Sequence, residues 1–450
     1  MEDILLRLTL TVSTLLIWIK IYLEEYIDMR KTKLMAGVLA LAMACMAFTG
    51  CGGSGKGVTE IKDFGNYVTS LDAIEIPEGT RIVALGEATH GNSEFQDLKA
   101  DFFKTVSDGT NFNALILEGD FGGCAIVNDY INGGEGDERE LTKLLGYGLY
   151  RTDNMMNLIH TMHEMNAGAA DSDKVRLYGM DIQRCLSNIE IIKALYKDAA
   201  PDKLDEVSSK LDDLYGTEEW EYDTARIDEI IAYAESLAKD LNDNKETFEA
   251  AVGKERFFKA SIAADCLKYY IETFETKAND NKYRDNKMQE IVEKILAFEE
   301  EEYGSEVVIS CHNGHMTKNQ SSNFTFLGKD LYDKYGDAYF AVGTDFYNTH
   351  VNLPNTDGRI VVDLCSDDPL AYNMKDNELK GGYLDFSKVD EGSDLYKYVY
   401  DKIPTGSVGE YYAKGFELMK RNYQIYFAPN DMYDAMILYY EVNPTEIWDK

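Results

Sequence analysis

Acidic residues and histidines gather in three short segments of the chain. Glu87 and His90 share the first segment, Glu118 lies in the second, and His312 and His315 form a pair in the third. Three of the six histidines in the sequence fall in these segments. A neutral imidazole takes a proton from water, and a neighbouring carboxylate can orient the ring. A single loop histidine is more often a hydrogen-bonded structural group. The occurrence of three histidines in these segments, together with acidic residues, favours a site that activates water.

Each of the three segments follows an apolar run typical of a buried strand. The runs are residues 81–85, 114–117 and 306–310, and residues 175–181 form a further one. A helical apolar pattern follows the first run, and residues 154–165 also have a helical pattern. Strands separated by helices indicate an α/β fold with a mainly parallel central sheet flanked by helices. In such sheets reacting groups collect beyond the carboxyl ends of the strands, which is where the three segments lie.

The composition and the apolar pattern of the sequence change between residues 187 and 302. This stretch is strongly charged, carries an apolar helical stripe in residues 227–241, and has no strand-like run. We interpret it as a helical insertion that forms a lid over the cleft. Strand-like runs return at residues 338–342, 359–362 and 424–427, which we expect to rejoin the sheet.

Composition excludes several classes of protein. The chain has 450 residues, 45 Lys and Arg against 80 Asp and Glu, and a formal net charge of -35. Nucleic acid is not an expected partner, because phosphate binding requires clustered basic residues. A hydrophobic content of 45% is sufficient for a buried core. The sequence contains no GxSxG elbow and no phosphate-binding glycine loop, which disfavours serine α/β-hydrolases and common nucleotide-binding folds.

The first part of the chain has the pattern of a lipoprotein signal. Residues 29–50 combine a basic start with the uncharged apolar stretch 34–48, as in a signal peptide. Cys51 then follows small residues and precedes the Gly/Ser-rich tether 51–57, which resembles a bacterial lipobox with Cys51 as the lipidated residue. We interpret residues 1–28 as upstream sequence read through in error, or as an uncleaved membrane anchor. Either interpretation predicts an extracytoplasmic protein attached to a membrane.

The remaining cysteines and histidines give weaker signals. The five later cysteines are odd in number and lack CxxC spacing, so no disulfide framework or zinc ribbon is predicted. His160 and His163 lie on a predicted helix but lack the HExxH order of a zinc protease, so we interpret them as an ordinary helix face.

Six short stretches, taken in order, resemble the erythromycin esterase family. They are Leu-Gly-Glu-Ala-Thr-His-Gly at residues 85–91 with Glu94-Phe95, Leu-Glu at 117–118, Tyr-Gly-Met-Asp-Ile-Gln at 178–183, Tyr-Arg-Asp-Asn-Lys-Met at 283–288, His-Asn-Gly-His at 312–315, and Tyr-Asp-Ala-Met-Ile at 433–437. The match covers residues 58–445, so residues 58–450 are expected to form an erythromycin esterase-like domain carrying the insertion 187–302.

This resemblance implies hydrolysis of a carboxylic ester of the macrolide lactone type by an activated water molecule, and so antibiotic inactivation. His90 would be the general base and Glu87 its carboxylate partner. The residues implied in binding the substrate or the oxyanion are Glu118, Arg284, His312, His315, Asp181 and Lys99. Lys99 stands where the family usually offers an arginine, and lysine cannot reproduce a planar bidentate clamp.

Two alternatives use the same residues differently. Glu87, His90, His312 and His315 have the donor atoms for a divalent metal, which would make a metal-dependent hydrolase of another ester or amide. The lipobox also fits a non-enzymatic solute-binding lipoprotein. The leading hypothesis needs no cofactor and takes a small-molecule ester as its partner; oligomeric state is left open.

Overall fold

The computed structural model describes residues 59–219, 222–275, 281–320, 327–356 and 358–448. Glu60–Lys450 form one compact unit with its own core. The predicted N-terminal extension, the signal peptide and Cys51 lie outside the described residues, so their assignment stays a prediction. No helix in the described ranges combines the length and apolarity needed to cross a bilayer.

Eleven strands are formed by the described residues. They are β1 (Val68–Thr69), β2 (Ile82–Glu87), β3 (Phe112–Asp120), β4 (Arg176–Asp181), β5 (Glu306–His312), β6 (Tyr339–Asn355), β7 (Gly358–Cys365), β8 (Gly382–Asp385), β9 (Ile403–Gly406), β10 (Gln424–Phe427) and β11 (Ala435–Val442). The main sheet has the order β1-β8-β11-β6-β2-β5-β3-β4, with β7 paired to β6. The six strands from β11 to β4 are parallel, and β1, β8 and β7 pair antiparallel. The predicted mainly parallel α/β sheet is confirmed.

Fifteen α-helices connect and cover these strands within the described ranges. They are α1 (Ser93–Ser107), α2 (Phe121–Ile131), α3 (Glu138–Lys143), α4 (Asp153–Asn166), α5 (Leu186–Ala199), α6 (Leu204–Tyr215), α7 (Ile227–Asp243), α8 (Lys245–Val252), α9 (Lys254–Glu275), α10 (Asn281–Tyr303), α11 (Asn313–Met316), α12 (Leu327–Tyr335), α13 (Pro369–Tyr372), α14 (Tyr396–Tyr400) and α15 (Pro429–Met432).

The sheet is buried on both faces. All six residues of β2 are buried, and its side chains alternate between two hydrophobic clusters. Ile82 and Ala84 face one cluster, whereas Val83 and Leu85 face the other. This explains the continuous apolar run in the sequence, because a strand covered by helices on both sides has no solvent face.

The helical stretch between β4 and β5 comprises α5 to α10. Helix α10 contacts β4 and β5, and α9 contacts α5 and α7, so these helices build a layer on one face of the sheet. The first residues of α10 reach the edge where the parallel strands end, as described below. A role for this layer as a lid stays a prediction.

One sequence-based expectation about the strands needs correction. Residues 424–427 do form a strand, but β10 pairs with β9 in a separate two-stranded sheet and does not join the main one. The strand that does join the main sheet there is β11, between β6 and β8. A short apolar run identifies a strand but carries no information about its partner, which is set by tertiary packing.

Candidate functional site

The first part of the site is the turn after β2. Glu87 is the last residue of β2, and its Oε1 lies 2.8 Å from Nδ1 of His90. The other oxygen, Oε2, accepts a hydrogen bond of 2.6 Å from Nζ of Lys99 on α1. Glu87 is therefore held between an imidazole and a buried ammonium group. Nδ1–H of His90 donates to Glu87, and no hydrogen bond among the described residues uses its Nε2, so this nitrogen can act as a base.

Two glycines on either side of this turn allow neighbouring chains to approach closely. A Cβ on Gly86 would lie 2.1 Å from Oδ1 of Asn313. That amide bonds to both backbone groups of Thr344, whose hydroxyl accepts from the backbone N–H of Ala88, so the ends of β2, β5 and β6 are tied together. A Cβ on Gly91 would lie 2.3 Å from the carbonyl oxygen of Asn352. Only glycine fits at either place, which gives the glycines of the 85–91 stretch a structural reason.

The second part of the site is the end of β5, next to β2. His312 lies opposite Glu87 in the parallel register, and its ring centroid is 5.0 Å from that of His90. Its Nδ1 accepts a hydrogen bond from the backbone N–H of Gly314, so the ring is neutral and carries its proton on Nε2. This Nε2–H is buried and has no hydrogen-bond partner among the described residues. A buried donor without a partner is costly unless a ligand or water satisfies it.

The third part of the site is a cluster around Arg284 in the first turn of α10. Its Nε donates to Oδ1 of Asp181 at 2.8 Å, and its Nη2 donates to Oε1 of Glu118 and to the hydroxyl of Tyr147, both at 2.8 Å. Tyr147 in turn donates to Asp181. The side chains of Glu118 and Asp181 are almost fully buried. The guanidinium group is therefore fixed by two carboxylates.

His315 joins this cluster through its two ring nitrogens. Nδ1 lies 2.9 Å from Oδ1 of Asp285, and Nε2 lies 3.2 Å from Oε1 of Glu118. A ring that faces a carboxylate on both sides is held as the imidazolium. The second oxygen of Glu118 accepts the backbone N–H of His312 at 2.8 Å, which connects the cluster to β5.

The three histidines of the site have different electrostatic environments. Burial lowers the pKa of His312 to about 3, and the neighbouring His90 and His315 act in the same direction. Burial alone would also lower the pKa of His315, but Glu118 and Asp285 outweigh it and raise it to about 10. For His90 the same opposition leaves a pKa above its ordinary value, mainly because of Glu87. His312 thus stays neutral, His315 stays charged, and His90 is the histidine whose charge can change.

Sequence-predicted site residues are largely brought together, with one correction. Glu87, His90, Glu118, His312 and His315 occupy adjacent strand ends, and Arg284 and Asp181 join them through ion pairs. Lys99 was expected to contact substrate or oxyanion, but its side chain is only 1% exposed and its Nζ binds Glu87. It lies behind the carboxylate and positions it.

The four residues considered as metal ligands do not form a coordinating set. No group of three or more His, Cys, Asp or Glu side chains in the described ranges is arranged to hold a metal ion. Glu87 already binds His90 and Lys99, Nδ1 of His312 accepts from Gly314, and both nitrogens of His315 face carboxylates. With their donor atoms engaged in this way, we assign no step to a metal.

Two residues of the cluster were given no role from the sequence. Asp285 adjoins Arg284 in the 283–288 stretch. A carboxylate next to the arginine in this stretch is a sequence signal that points to Asp285 as a residue of the site. Tyr147 lies in a loop between two glycines, where nothing in the sequence indicated a site. Its part depends on the chain path that brings it to Asp181 and Arg284.

His160 and His163 are on α4, as expected for an ordinary helix face. Nδ1 of His160 lies 2.9 Å from Oε1 of Glu138, and Nδ1 of His163 lies 3.0 Å from the carbonyl oxygen of Tyr130, on whose ring it stacks. These contacts are with α2 and α3. The described cysteines, Cys124, Cys185, Cys266, Cys311 and Cys365, are free thiols.

The fold and the site define an α/β protein whose histidines and carboxylates form a polar site at the carboxyl ends of its parallel strands. The family model for Erythromycin esterase matches residues 109–442. The chain therefore belongs to the erythromycin esterase family, which supports a hydrolase of the esterase type at the level of the family.

Individual relatives are distant. The erythromycin esterase type II of Escherichia coli is 24% identical over 322 residues, covering 63% of this chain and 73% of that protein. The Bacillus subtilis (strain 168) protein YbfO is 23% identical over 225 residues, covering 47% of this chain and 49% of that protein.

Solved structures share the fold at low identity. A Bacillus cereus protein has a TM-score of 0.70 and 20% identity, with 86% of this chain and 98% of that chain covered. An erythromycin esterase mutant in its open conformation has a TM-score of 0.59 and 16% identity, with 83% and 93% covered. At these identities the likeness establishes the fold and leaves the substrate to be argued from the site.

Proposed function

We propose that this protein hydrolyses a carboxylic ester of the macrolide lactone type, using water activated by His90. The observation that carries the proposal is the pairing of His90 with Glu87 at 2.8 Å, which leaves Nε2 of the ring unpaired within the described residues. A general base oriented in this manner contributes about 10²–10⁴-fold to a rate.

In the first step water attacks the ester carbonyl carbon while its proton passes to Nε2 of His90. The C–O bond to the attacking oxygen forms, and the carbonyl oxygen becomes an oxyanion. The unsatisfied Nε2–H of His312, whose ring is 5.0 Å from that of His90, is the donor that we assign to this oxygen. One such donor contributes about 10²–10³-fold in other acyl-transfer sites.

In the second step the tetrahedral species expels the alkoxide of the ester. The C–O bond to the alkoxide breaks, and the proton on His90 passes to the leaving oxygen. A simple ester gives a carboxylic acid and an alcohol, whereas a lactone gives one ring-opened hydroxy acid, and His90 returns to its neutral form. No covalent bond to the protein forms, which is consistent with the lack of a GxSxG nucleophile in the sequence.

Arg284 and His315, which the family resemblance implied in binding the substrate or the oxyanion, have a positioning role in this scheme. Arg284 uses Nε and Nη2 on carboxylates and Tyr147, and its Nη1 lies 3.3 Å from Nε2 of His315. The imidazolium of His315, close to the end of β5, lowers the pKa of His312 further and so keeps this ring neutral.

The macrolide is proposed from the family and from the named activity of the Escherichia coli relative. The test is incubation of the purified protein with erythromycin and a panel of simple esters, followed by mass spectrometry. A product heavier by one water supports the proposal. Tight binding of a macrolide without turnover would instead identify a solute-binding protein, and turnover that is lost on chelation and restored by Zn²⁺ or Mn²⁺ would identify a metal-dependent hydrolase.

We also propose that the mature protein is anchored outside the cytoplasm through a lipid on Cys51. The support is the lipobox-like sequence and the Gly/Ser-rich tether after it. Expression of the full chain and of its Cys51→Ala variant in a bacterial host, followed by detergent phase partition, tests this. The parent chain is expected in the detergent phase with a fatty-acyl label, and an unlabelled parent would contradict lipidation.

A further inference from the structure

Large apolar side chains are exposed in one loop of the folded unit. Within the described residues the markedly exposed large hydrophobic side chains are Phe274, Val361, Tyr411, Leu418, Met419 and Tyr426. Four of these six lie between residues 411 and 426, and the exposed fraction reaches 81% at Leu418 and 66% at Tyr411. Single exposed apolar residues are ordinary, whereas several in one loop indicate an interaction surface. Residues 411–421 are called the 411–421 loop below.

The 411–421 loop is fixed to the folded unit. Phe416 is buried at its centre, with ring centroids 6.1 Å from Tyr412 and 6.2 Å from Tyr423. The side-chain amide of Asn422 donates to the carbonyl oxygen of Phe416 at 2.8 Å. Since Phe416 already fills the inward position, the neighbouring Leu418 stays outside. The exposed apolar residues are therefore presented on an ordered support.

The charge of this loop is opposite to that of the protein as a whole. The chain carries a formal net charge of -35, but the 411–421 loop contains the basic residues Lys414, Lys420 and Arg421 against the single acid Glu417. Lys420 pairs with Asp367. None of the ion pairs formed among the described residues uses Lys414 or Arg421, and Nη2 of Arg421 lies 3.6 Å from Sδ of Met419. A cation beside an exposed thioether is thus available to an anionic partner.

We propose that the 411–421 loop binds the surface of an anionic lipid bilayer. Leu418 and Met419 would enter the boundary between head groups and acyl chains, and Lys414 and Arg421 would contact lipid phosphates. Exposed apolar side chains together with basic ones are the combination that holds peripheral proteins on anionic membranes.

The local charge of the loop favours an anionic bilayer as the partner. The formal net charge of -35 opposes the approach of an anionic bilayer to the acidic parts of the protein surface, so contact is expected at the basic loop. The basic loop is where an anionic bilayer is attracted, which also fixes the orientation of the docked protein.

The chain segment that leads into the 411–421 loop pairs with the catalytic turn. The backbone N–H of Val408, just before the loop, donates to the carbonyl oxygen of Ala88 at 2.9 Å, and Thr89 and Val408 form a β-bridge. His90 follows directly in the chain. Docking of the loop therefore involves a chain segment that is hydrogen-bonded to the turn carrying His90, whichever ester is hydrolysed there.

Sedimentation with vesicles tests the proposal on the chain from Glu60 to Lys450. This unit contains the hydrophobic core, and it lacks the apolar N-terminal run that would bind lipid by itself. We expect the protein to sediment with phosphatidylglycerol-containing vesicles more than with phosphatidylcholine alone. The double variant Leu418→Ser/Met419→Ser and the double variant Lys414→Glu/Arg421→Glu should each reduce the partition coefficient about tenfold.

Matched controls are Phe274→Ser, an exposed apolar residue on α9, and Lys375→Glu, an exposed basic residue after α13. Both should bind vesicles like the parent, and the two loop variants should keep its thermal unfolding midpoint.

Several results would overturn the proposal. One is parent protein that stays in the supernatant with anionic vesicles, and another is vesicle binding that the loop variants leave unchanged. A dimer in sedimentation velocity that Leu418→Ser/Met419→Ser abolishes would assign the loop to a second copy of the chain. A raised KM for a water-soluble ester with unaltered vesicle binding would make it a substrate-contacting loop. Because binding is measured without substrate, failure here leaves the proposed esterase activity standing, and the reverse also holds.

Discussion

The two sides of the site hold their histidines in different ways. His90 faces one carboxylate, Glu87, and that carboxylate is shared with Lys99. His315 faces two carboxylates, Glu118 and Asp285, and of these Glu118 is shared with Arg284. Both imidazoles are nearly buried, with side chains 14% and 11% exposed. The difference is therefore in the balance of charge around each ring and hardly in solvent access.

This balance separates a group that can exchange a proton from one that cannot. Glu118 and Asp285 raise the pKa of His315 to about 10 against the effect of burial, so it remains an imidazolium at physiological pH. On the other side Lys99 and His90 together outweigh burial and lower the pKa of Glu87, which stays ionised while His90 loses or gains its proton. A general base needs the arrangement around His90, in which the ring can change its charge. A fixed positive charge needs the arrangement around His315.

The largest expected effect is the loss of the base. His90→Ala should lower kcat of ester hydrolysis by about 10²–10⁴-fold, because no other described histidine pairs with Glu87. Initial rates on the ester found by the substrate screen measure this, with circular dichroism to confirm the fold. His163→Ala is the matched control, since His163 contacts Tyr130 on α2. Near-parental turnover of His90→Ala would remove the base from the mechanism.

The next effect concerns the neutral donor. His312→Phe keeps an aromatic ring but removes Nε2–H, so kcat should fall by about 10²–10³-fold with little change in KM. His312→Gln, whose amide offers an N–H at a similar distance, should recover part of the rate. If both variants lose the same activity, the hydrogen bond to the oxyanion is not the role of this ring.

The buried cluster of Glu118, Arg284 and His315 should affect the stability of the protein more than the pH dependence of the rate. Glu118→Gln leaves Arg284 and His315 with one carboxylate fewer in a buried cluster, which should cost about 3 kcal/mol in the free energy of unfolding. The folded-state pKa of His315 is about 10, above its ordinary 6.5. Its contribution is therefore complete below pH 6.5 and is lost as the pH rises through about 10.

Urea unfolding of the parent and of Glu118→Gln at several pH values measures this contribution. The difference between the two proteins should shrink at alkaline pH. Asp129→Asn is the control, because it removes a carboxylate that pairs with Lys259 away from the strand ends and is itself largely exposed. A difference that stays constant up to pH 10.5 would mean that His315 is not the coupled group.

The site could be predicted from the sequence to the extent that its residues directly follow strands. Glu87, Glu118 and His312 occupy the ends of β2, β3 and β5, and adjacent parallel strands bring such residues together by geometry alone. Tyr147 belongs to a loop between α3 and α4, and its contact with Asp181 depends on how that loop folds back. No local pattern encodes such a contact.

Lys99 shows the other limit of the sequence. Its position on α1 was visible, but the direction of its side chain depends on which face of α1 packs on the sheet. Lys99 points inward and binds Glu87. A buried carboxylate is costly without a cation as its partner, and this explains the lysine without any contact to a substrate. The fold class could be predicted from the periodicity of apolar residues. Whether a site residue contacts the substrate or supports another side chain could be seen only from the packing.

The smallest expected effect follows from that support and concerns the pH at which the enzyme becomes active. The hydrolysis rate should fall at acid pH as His90 becomes protonated, with a midpoint above 6.5 because the pKa of His90 is raised. Lys99→Met removes a cation that binds Glu87 at 2.6 Å and so leaves the full carboxylate charge to His90. The midpoint of kcat/KM should then move to higher pH by about 1 unit. Lys99→Arg keeps the cation and should keep the parental midpoint. Equal midpoints for Lys99→Met and the parent would show that Lys99 maintains only the fold around Glu87, and a shift toward acid pH would show that the imidazole is not the titrating base.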